Sequence, residues 1–459
     1  MTRKSHPIDG SRRQFLQTAS ALSVLGSATP LALNLAGIGA AAAQTAEDYR
    51  ALVCVFLYGG NDQTNTVVPF DSSEFNAYTA ARPTIALTSA QLTSLGAVAA
   101  QGGRSFALPN ELAPLATLYR SGKLAVVANV GPLIVPTTKA QYQSASVPLP
   151  PKLFSHNDQQ SVWQSSSAEG ATSGWGGRIA DVIASGNANQ TFSAVSVAGA
   201  AVYLSGRSVL QYQVGINGPV AVSGLTGTLF GSASASQVLQ QLITAARPDM
   251  FEDEYDRVTA RSIAANTALT GALASAPALT TAFPAGNPLA DQLRMVARTI
   301  SARQALGAKR QVFFVSLGGF DTHDFQLRDQ PTLHTTLAAA LDAFYNATVE
   351  LGVANLVTTF TASDFGRTLT SNGDGSDHGW GSHHFVLGGA VRGGTIYGSF
   401  PTVALGTAED VGSGRLLPSI AVDQYAATLA KWFGVSDTDL ATVVPNLANF
   451  TTRDLGFMA

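Results

Sequence analysis

The fold is decided by a short apolar run near the start of the chain, Ala51-Leu-Val-Cys-Val-Phe-Leu-Tyr58, which ends at Gly59-Gly60-Asn61-Asp62. Two later apolar runs also lead to an aspartate: residues 312–317 before Asp321, and residues 356–361 before Asp364. Continuous apolar strands are typical of parallel sheets that are buried on both faces. Because ligands bind beyond the carboxyl ends of such strands, the three aspartates mark the predicted site.

Helical periodicity separates these strands. Apolar residues recur at spacings of three and four in segments 289–306, 333–351 and 421–433. Alternating strands and helices predict an α/β fold, with a doubly wound, mostly parallel sheet sandwiched by helices. Between about residues 187 and 229, short alternating segments are broken by Gly, Asn and Ser, and they predict a small β-rich insertion.

The N-terminus carries the pattern of an export signal. Arg12-Arg13 precedes an apolar stretch over residues 21–42, which closes at the small residues Ala41-Ala42-Ala43. A basic start, an apolar middle and a small-residue cleavage site predict a twin-arginine (Tat) signal peptide over residues 1–43. A retained membrane anchor is the alternative. The mature protein, residues 44–459, is then expected in the periplasm or outside the cell, exported already folded.

Composition limits the partners of the mature chain. The formal net charge is −3 for the whole sequence, and removing the four basic residues and one acidic residue of the leader leaves −6. An acidic chain without a basic cluster is not expected to bind nucleic acid. No stretch after the leader has the ~18 consecutive apolar residues of a membrane span, so none is expected after cleavage. Cys54 is the only cysteine and is expected in the core.

Carboxylates and histidines gather at the predicted sheet edge. His323 follows Asp321 by two residues, and His378 lies in the Gly-rich loop Asp377-His378-Gly379. Three carboxylates packed together raise one another's pKa and repel, unless a cation joins them. Carboxylate oxygen and neutral imidazole are ligands for a divalent metal. The pattern therefore predicts a metal site from Asp62, Asp321, His323, Asp364 and His378, with a purely hydrogen-bonded cluster as the alternative.

Motifs along almost the whole mature chain resemble a known family. They are Tyr58-Gly-Gly-Asn-Asp62, Asn65-Thr-Val-Val-Pro69, Ser155-His-Asn-Asp158, Gly174-Trp-Gly-Gly-Arg178, Gly319-Phe-Asp-Thr-His323, Ser363-Asp-Phe-Gly-Arg367, Asp377-His-Gly-Trp380 and Gly388-Gly-Ala-Val-Arg-Gly-Gly394. This set is similar to the Tat-exported domain of unknown function 1501 family. That family is grouped with the alkaline phosphatase superfamily, which includes sulfatases. The resemblance implies an alkaline-phosphatase-like fold and one or two divalent metals (Zn, Mn, Mg or Ca) at the strand ends.

The resemblance also implies individual roles. Asp321, His323 and His378 look like the ligands of the superfamily's first metal, and Asp62 and Asp364 look like ligands of the second. Phe365 stands where the superfamily has a second-site histidine. The second site is then oxygen-rich and weak, or completed by His384, its neighbour His383 or water, or empty. The implied nucleophile is a Ser or Thr at a helix start. Ser155 fits best, ahead of Thr64 and Thr66, with a plain helix cap as its alternative role.

One further residue is placed by its spacing. Arg367 follows Asp364 by three residues, close enough to neutralise a bound oxyanion. Its alternative is a salt bridge to one of the site carboxylates.

Three functions follow as hypotheses. The first is an exported metal-dependent hydrolase of phosphate or sulfate esters, acting on a small-molecule or polymer substrate with a Ser/Thr nucleophile. The second, favoured by Phe365, is a non-catalytic secreted or envelope protein that keeps the fold and one metal for stability or partner binding. The third is an iron oxygenase with two histidines and one carboxylate, which the doubly wound sheet disfavours. The resemblance also implies a protein partner encoded by a neighbouring gene.

Overall fold

The apolar run that opens the chain becomes an interior strand of a large sheet in the computed structural model, which describes residues 48–225 and 227–459. The predicted signal peptide lies outside the described residues and stays a prediction. In chain order the strands are β1 (Arg50–Leu57), β2 (Val68–Pro69), β3 (Leu92–Val98), β4 (Arg104–Pro109), β5 (Leu124–Gly131), β6 (Ala194–Ser196), β7 (Tyr212–Gln213), β8 (Arg310–Leu317), β9 (Val357–Ser363), β10 (Arg367–Ser371), β11 (Ser376–His378), β12 (Ser382–Gly388), β13 (Ile396–Tyr397) and β14 (Ile420–Ala421).

The α-helices connect and cover these strands. In chain order they are α1 (Ser72–Ala81), α2 (Ala113–Arg120), α3 (Lys139–Ser144), α4 (His156–Ser165), α5 (Trp175–Ile183), α6 (Ala233–Ile243), α7 (Met250–Ser275), α8 (Pro288–Ser301), α9 (Gln326–Glu350), α10 (Val422–Phe433) and α11 (Leu440–Val443). No helix in the described part of the chain is long and apolar enough to cross a membrane.

The main sheet has the strand order β13-β5-β12-β9-β1-β8-β6-β7, with β14 also paired to β5. Strand β12 runs antiparallel to β5 and β9, and the other pairings in this sheet are parallel. Strands β2, β4 and β3 form a small antiparallel sheet, and β10 pairs with β11. The predicted α/β fold with a mostly parallel sheet is confirmed.

Strand β1 is buried on both faces. Leu52, Cys54 and Phe56 belong to one hydrophobic cluster with residues of α5 and α10. The intervening Val53 and Val55 are also fully buried, on the face that this cluster does not use. Helix α8 packs against β8, and α9 packs against α8. This two-sided burial explains why the strand is a continuous apolar run instead of an alternating one.

The predicted helices are present, with differences at two boundaries. Helix α8 ends at Ser301, five residues before the end of the predicted segment 289–306. Helix α9 begins at Gln326, seven residues before the predicted segment 333–351. Its first turns bury three polar side chains at helical spacing, Gln326, Gln330 and His334. Hydrophobic periodicity cannot detect a helix whose buried face is polar.

The segment expected to be β-rich extends the main sheet. Strand β6 pairs parallel with β8, and β7 pairs parallel with β6 at the sheet edge. Between them, residues Val202–Leu204 form a 3₁₀ turn. The segment therefore supplies the outermost strands on one side of the sheet.

Candidate metal centre

Three neighbouring strands end together at one edge of the sheet. Leu57, the last residue of β1, pairs with Leu317 of β8 and with Ser363 of β9. The chain therefore delivers Asp364 directly after β9, and Asp321 from the loop after β8, to the same place. This is the edge at which the sequence predicted the site.

Asp321, His323 and His378 come together there. Asp321 Oδ1 lies 3.2 Å from His323 Nε2 and 3.2 Å from His378 Nε2. The two Nε2 atoms are 2.9 Å apart. The structure thus brings together the three residues that the sequence assigned to the first metal.

His156 joins this group, although the sequence analysis did not include it among the ligands. It is the first residue of α4, and its Nε2 lies 3.4 Å from Asp321 Oδ2. Its Nδ1 lies 2.6 Å from Asp364 Oδ2. The same carboxylate oxygen accepts hydrogen bonds from Gln160 Nε2 at 2.8 Å and from the Gly59 backbone N–H at 3.2 Å.

Two of the three imidazoles are held by hydrogen bonds at their Nδ1 atoms. His323 Nδ1 only approaches the half-exposed Asp377 Oδ1, at 3.3 Å. His378 Nδ1 is 2.7 Å from the Phe154 carbonyl oxygen and is hydrogen-bonded to it. Asp364 holds His156 in the same way. Outer acceptors of this kind fix the tautomer and orientation of metal-binding histidines. They leave three Nε2 atoms facing Asp321, and we call His156, Asp321, His323 and His378 the metal cluster.

The donor atoms of this cluster suit a divalent cation. His156, Asp321 and His378 each offer a ligand atom, and these atoms lie within 4.8 Å of one another. Imidazole nitrogen with one carboxylate is a donor set for zinc and for first-row transition metals. Beside the cluster, Asp364 Oδ1 is buried without a hydrogen-bond partner among the described residues. The residues present therefore fit a bound metal.

The pKa directions within the cluster are mixed. The hydrogen bond that His156 makes to Asp364 raises the pKa of His156 above its ordinary value, against the opposing effect of burial. Burial lowers the pKa of His378, only partly offset by its hydrogen bond to the Phe154 carbonyl. Burial alone would raise the pKa of Asp321, but the bond to Arg367 and the charge of Arg367 outweigh it, and this pKa lies below its ordinary value. These shifts favour the anionic form of Asp321 and the neutral form of His378, as metal binding requires, whereas a metal would have to displace a proton from His156.

Arg367 lies beneath the Asp321 carboxylate. Its side chain is fully buried, and NH1 donates to Asp321 Oδ1 at 2.8 Å and to the Gly59 carbonyl at 3.3 Å. This is the salt bridge that the sequence analysis gave as the alternative role of Arg367. In this position the guanidinium orients Asp321, and its predicted contact with a substrate oxyanion stays a prediction.

Asp62 is held elsewhere. Its carboxylate forms a buried ion pair with Arg82, at 2.7 Å and 2.9 Å, and accepts hydrogen bonds from Gln326 and from the Thr64 backbone N–H. The structure therefore places this predicted metal ligand in a neutralised, fully paired position, outside the metal cluster. The sequence could not reveal this arrangement, because an ion pair between two residues twenty positions apart produces no recognisable sequence pattern.

His383 and His384 also lie away from the cluster. His384 packs its ring on Trp163 at 4.8 Å, and burial lowers its pKa to about 3. His383 accepts a hydrogen bond from the Asn129 backbone N–H and packs on Phe400. Neighbouring side chains of a strand point to opposite faces, and the structure gives neither ring a contact with the cluster among the described residues. His384 is thus a buried core residue, and not the replacement for the missing second-site histidine.

Ser155 precedes His156 at the start of α4. Its hydroxyl donates to Asp158 Oδ2 at 2.8 Å, and Lys152 Nζ lies 3.6 Å from the other oxygen of that carboxylate. Ser155 is the N-cap residue, but its side chain bonds to no backbone N–H of the helix. The candidate nucleophile therefore sits beside a cluster residue, with its proton directed to a carboxylate.

Phe365 supports the cluster from below. Its ring is fully buried and packs on His156, with ring centroids 4.8 Å apart, and on His378 at 4.6 Å. A Cβ atom added to Gly60 would lie 2.4 Å from this ring, and Gly60 has φ +84°. The residue that replaces a superfamily histidine is thus an apolar platform for two imidazoles.

We expect Gly60→Ala to destabilise the protein by about 1–3 kcal/mol through overpacking, and to weaken metal binding by displacing Phe365. Urea unfolding and metal titration measure the two effects. Gly102→Ala is the matched control, because Gly102 has φ +69° with open space around its Cβ position. Equal losses in the two variants would show that only backbone strain matters, and would contradict the role of the Phe365 platform.

The histidine that sequence reasoning left out had one signal. His156 follows a predicted helix cap in the motif Ser155-His-Asn-Asp158, where a helix start could present it to the sheet edge. Its partner Asp364 is 208 positions away. Gln160, one helical turn after His156, carries no sequence signal at all.

The solved structures that this chain resembles are distant in sequence. No curated protein matches the chain in sequence. Among solved structures, PsFucS1 sulfatase from Pseudoalteromonas sp. has 9% identity and a TM-score of 0.37, covering 92% of this chain and 76% of that one. Ps i-CgsB in complex with k-i-k-neocarrahexaose has 10% identity and a TM-score of 0.35, covering 85% and 73%. The alkaline phosphatase from the Antarctic bacterium TAB5 has 10% identity and a TM-score of 0.29, covering 74% and 92%.

These structural likenesses are too weak to bear on activity. The sequence likeness to a family is direct. The family described as protein of unknown function (DUF1501) matches residues 49–442, which is most of the chain and contains every residue of the metal cluster. The chain belongs to the DUF1501 family.

Proposed function

We propose that this protein is a metal-dependent hydrolase of phosphate or sulfate esters. The observation that carries the proposal is the convergence of three imidazole Nε2 atoms on the Asp321 carboxylate, with two of the imidazoles, His156 and His378, fixed by hydrogen bonds through their other nitrogen. Such a cluster at the carboxyl ends of parallel strands is where α/β proteins place their ligands. Membership of the alkaline phosphatase superfamily and a protein partner encoded nearby are part of the same proposal.

Each residue has a chemical task in this proposal. His156, His323, His378 and Asp321 would hold a divalent cation, which when bound polarises the ester oxygen. Arg367 keeps Asp321 ionised and oriented. Ser155, at the positive end of the α4 dipole, attacks the phosphorus or sulfur atom while its proton passes to Asp158. The ester bond breaks, the leaving alcohol takes up a proton, and water then releases phosphate or sulfate from Ser155.

The test is an ester assay on protein reloaded with Zn, Mn, Mg or Ca. We expect hydrolysis of an aryl phosphate or an aryl sulfate, and Ser155→Ala should lower turnover by roughly 100-fold or more while metal content stays unchanged. Ser144→Ala, on the exposed end of α3, is the control. Full activity of Ser155→Ala would exclude this nucleophile, and the absence of turnover with every metal and ester would end the hydrolase proposal.

A non-catalytic metal protein is the second candidate. The observations that favour it are the engagement of Asp62 by Arg82 and the burial of Phe365, since both residues stand where a second metal would be held. A protein that binds one metal per chain and hydrolyses no ester, but loses stability when the metal is removed, would establish this function instead.

We also propose export by the twin-arginine pathway. Replacing Arg12 and Arg13 with Lys should leave an uncleaved precursor in the cytoplasm, because the pathway recognises the arginine pair. Immunoblots of cell fractions measure the result, and Arg3→Lys is the control outside the pair. Normal processing of the double variant would disprove export by this route.

A further inference from the structure

A cavity of about 350 Å³ adjoins the metal centre between the start of α4 and the turn at residues 200–202. Its volume falls within the roughly 300–1,000 Å³ of small-molecule pockets. Gln160 belongs to both places, since it lines the cavity and donates through Nε2 to Asp364 at 2.8 Å. Gln160 thus links the cavity to Asp364, and the lining residue Asn157 directly follows His156 in α4.

The polar wall of the cavity is almost entirely neutral. Its hydrogen-bonding side chains are Tyr58, Asn157, Gln160, Ser161, Gln164 and Glu169. Amides and hydroxyls of this kind both donate and accept. Among the described lining residues there is no lysine or arginine, so no side-chain cation there would neutralise a phosphate or sulfate group. Glu169 and the nearby Asp364 would repel one.

Two of these side chains, Asn157 and Glu169, are available to bind a ligand. Asn157 and Glu169 are exposed, and the structure gives their side chains no hydrogen bond to another described residue. In contrast, the Ser161 hydroxyl donates to the Ala168 carbonyl, and Gln164 accepts from the Tyr203 backbone N–H. The cavity thus combines a fixed inner wall with two free polar side chains at its mouth.

The metal cluster and the cavity differ in charge, and this difference suggests the orientation of a bound ester. The metal cluster accepts the anionic end of the molecule, whereas the cavity presents neutral donors and acceptors with a single carboxylate. A carboxylate together with amide groups suits the vicinal hydroxyls of a sugar or polyol, each of which is both donor and acceptor. An aromatic leaving group would offer these polar groups no hydrogen bonds, so they would add nothing to its binding.

We propose that this cavity binds the neutral, hydroxyl-rich alcohol portion of the substrate, so that the protein acts on phosphate or sulfate esters of sugars or polyols. The proposal rests on the proposed hydrolase function and adds the substrate class. Asn157 and Glu169 determine specificity through contacts with the hydroxyl groups of the alcohol. The metal cluster binds the phosphate or sulfate group, whichever alcohol is attached to it.

The experiment compares glucose 6-phosphate and glucose 6-sulfate with phenyl phosphate, phenyl sulfate and phosphocholine. We expect kcat/KM to be at least tenfold higher for the sugar esters. Asn157→Ala and Glu169→Gln should each raise KM for the sugar esters about tenfold, the usual scale of one lost hydrogen bond, and leave phenyl ester hydrolysis unchanged. Asn76→Ala, at an exposed position of α1, is the matched control.

A binding measurement separates this proposal from the hydrolase function. Saturation-transfer NMR with glucose and with inositol should show contact with the wild-type protein and none with the Asn157→Ala/Glu169→Gln variant. If glucose binds in this way but no ester is hydrolysed, the cavity assignment stands and the hydrolase proposal fails. Hydrolysis of phenyl esters with no sugar preference and no sugar binding would overturn the assignment, as would a preference for phosphocholine, which would make the cavity a cation site.

Discussion

Replacing His323 and His378 together with Ala is expected to abolish metal binding. The wild-type protein should hold one divalent ion per chain, because the described residues form one cluster of ligand atoms. The double variant loses two of the three Nε2 donors that face Asp321. Removing only a hydrogen-bond partner of a metal ligand typically costs 10–100-fold in metal affinity, so the loss of two direct ligands should leave no metal after dialysis. Elemental analysis of the purified protein gives the number of ions per chain.

The control for this experiment is Asp324→Ala. Asp324 is an exposed carboxylate one residue after His323, so its loss changes the local charge without removing a cluster donor, and metal content should stay at one ion per chain. Circular dichroism confirms that both variants are folded. A double variant that retains the ion would show that the metal is held elsewhere, and two ions per wild-type chain would restore the second site that the superfamily resemblance implies.

Arg82→Ala is expected to lower the free energy of unfolding by about 3–5 kcal/mol. Both side chains of the Arg82–Asp62 pair are completely buried, so the variant leaves an unpaired carboxylate in the interior. Urea denaturation measures the loss. The double variant Arg82→Ala/Asp62→Ala should be less destabilised than the sum of the two single variants, because it removes the uncompensated charge.

Arg257→Ala provides the comparison for a surface pair. Arg257 bonds to Asp253 on the exposed side of α7, and such pairs contribute less than ~1 kcal/mol.

Metal content should be unchanged in Asp62→Ala, since the structure uses this carboxylate to neutralise Arg82. Loss of metal from Asp62→Ala without loss of stability would return Asp62 to the ligand role that the sequence suggested.

The main elements of the fold could be predicted because they follow local rules. The apolar runs that form β1, β8 and β9 predict strands buried on both faces, and the segments that form α8 and α10 show helical periodicity. Parallel strands align their carboxyl ends, so the loops that carry Asp321 and Asp364 had to meet. The start of α9 was missed because its buried face is made of Gln326, Gln330 and His334, whose polarity hides the period.

The same distinction, between local sequence pattern and contacts made by distant segments, applies to the site. The sequence alone determined the sheet edge and the aspartates and histidines delivered to it, because strand direction and chain order fix where each loop emerges. Only the tertiary structure decided which of them meet. It joined His156 to Asp364 across 208 positions, engaged Asp62 with Arg82, and turned His384 into the core. These choices depend on side-chain packing and charge pairing between distant segments, which leave no periodic trace in the sequence.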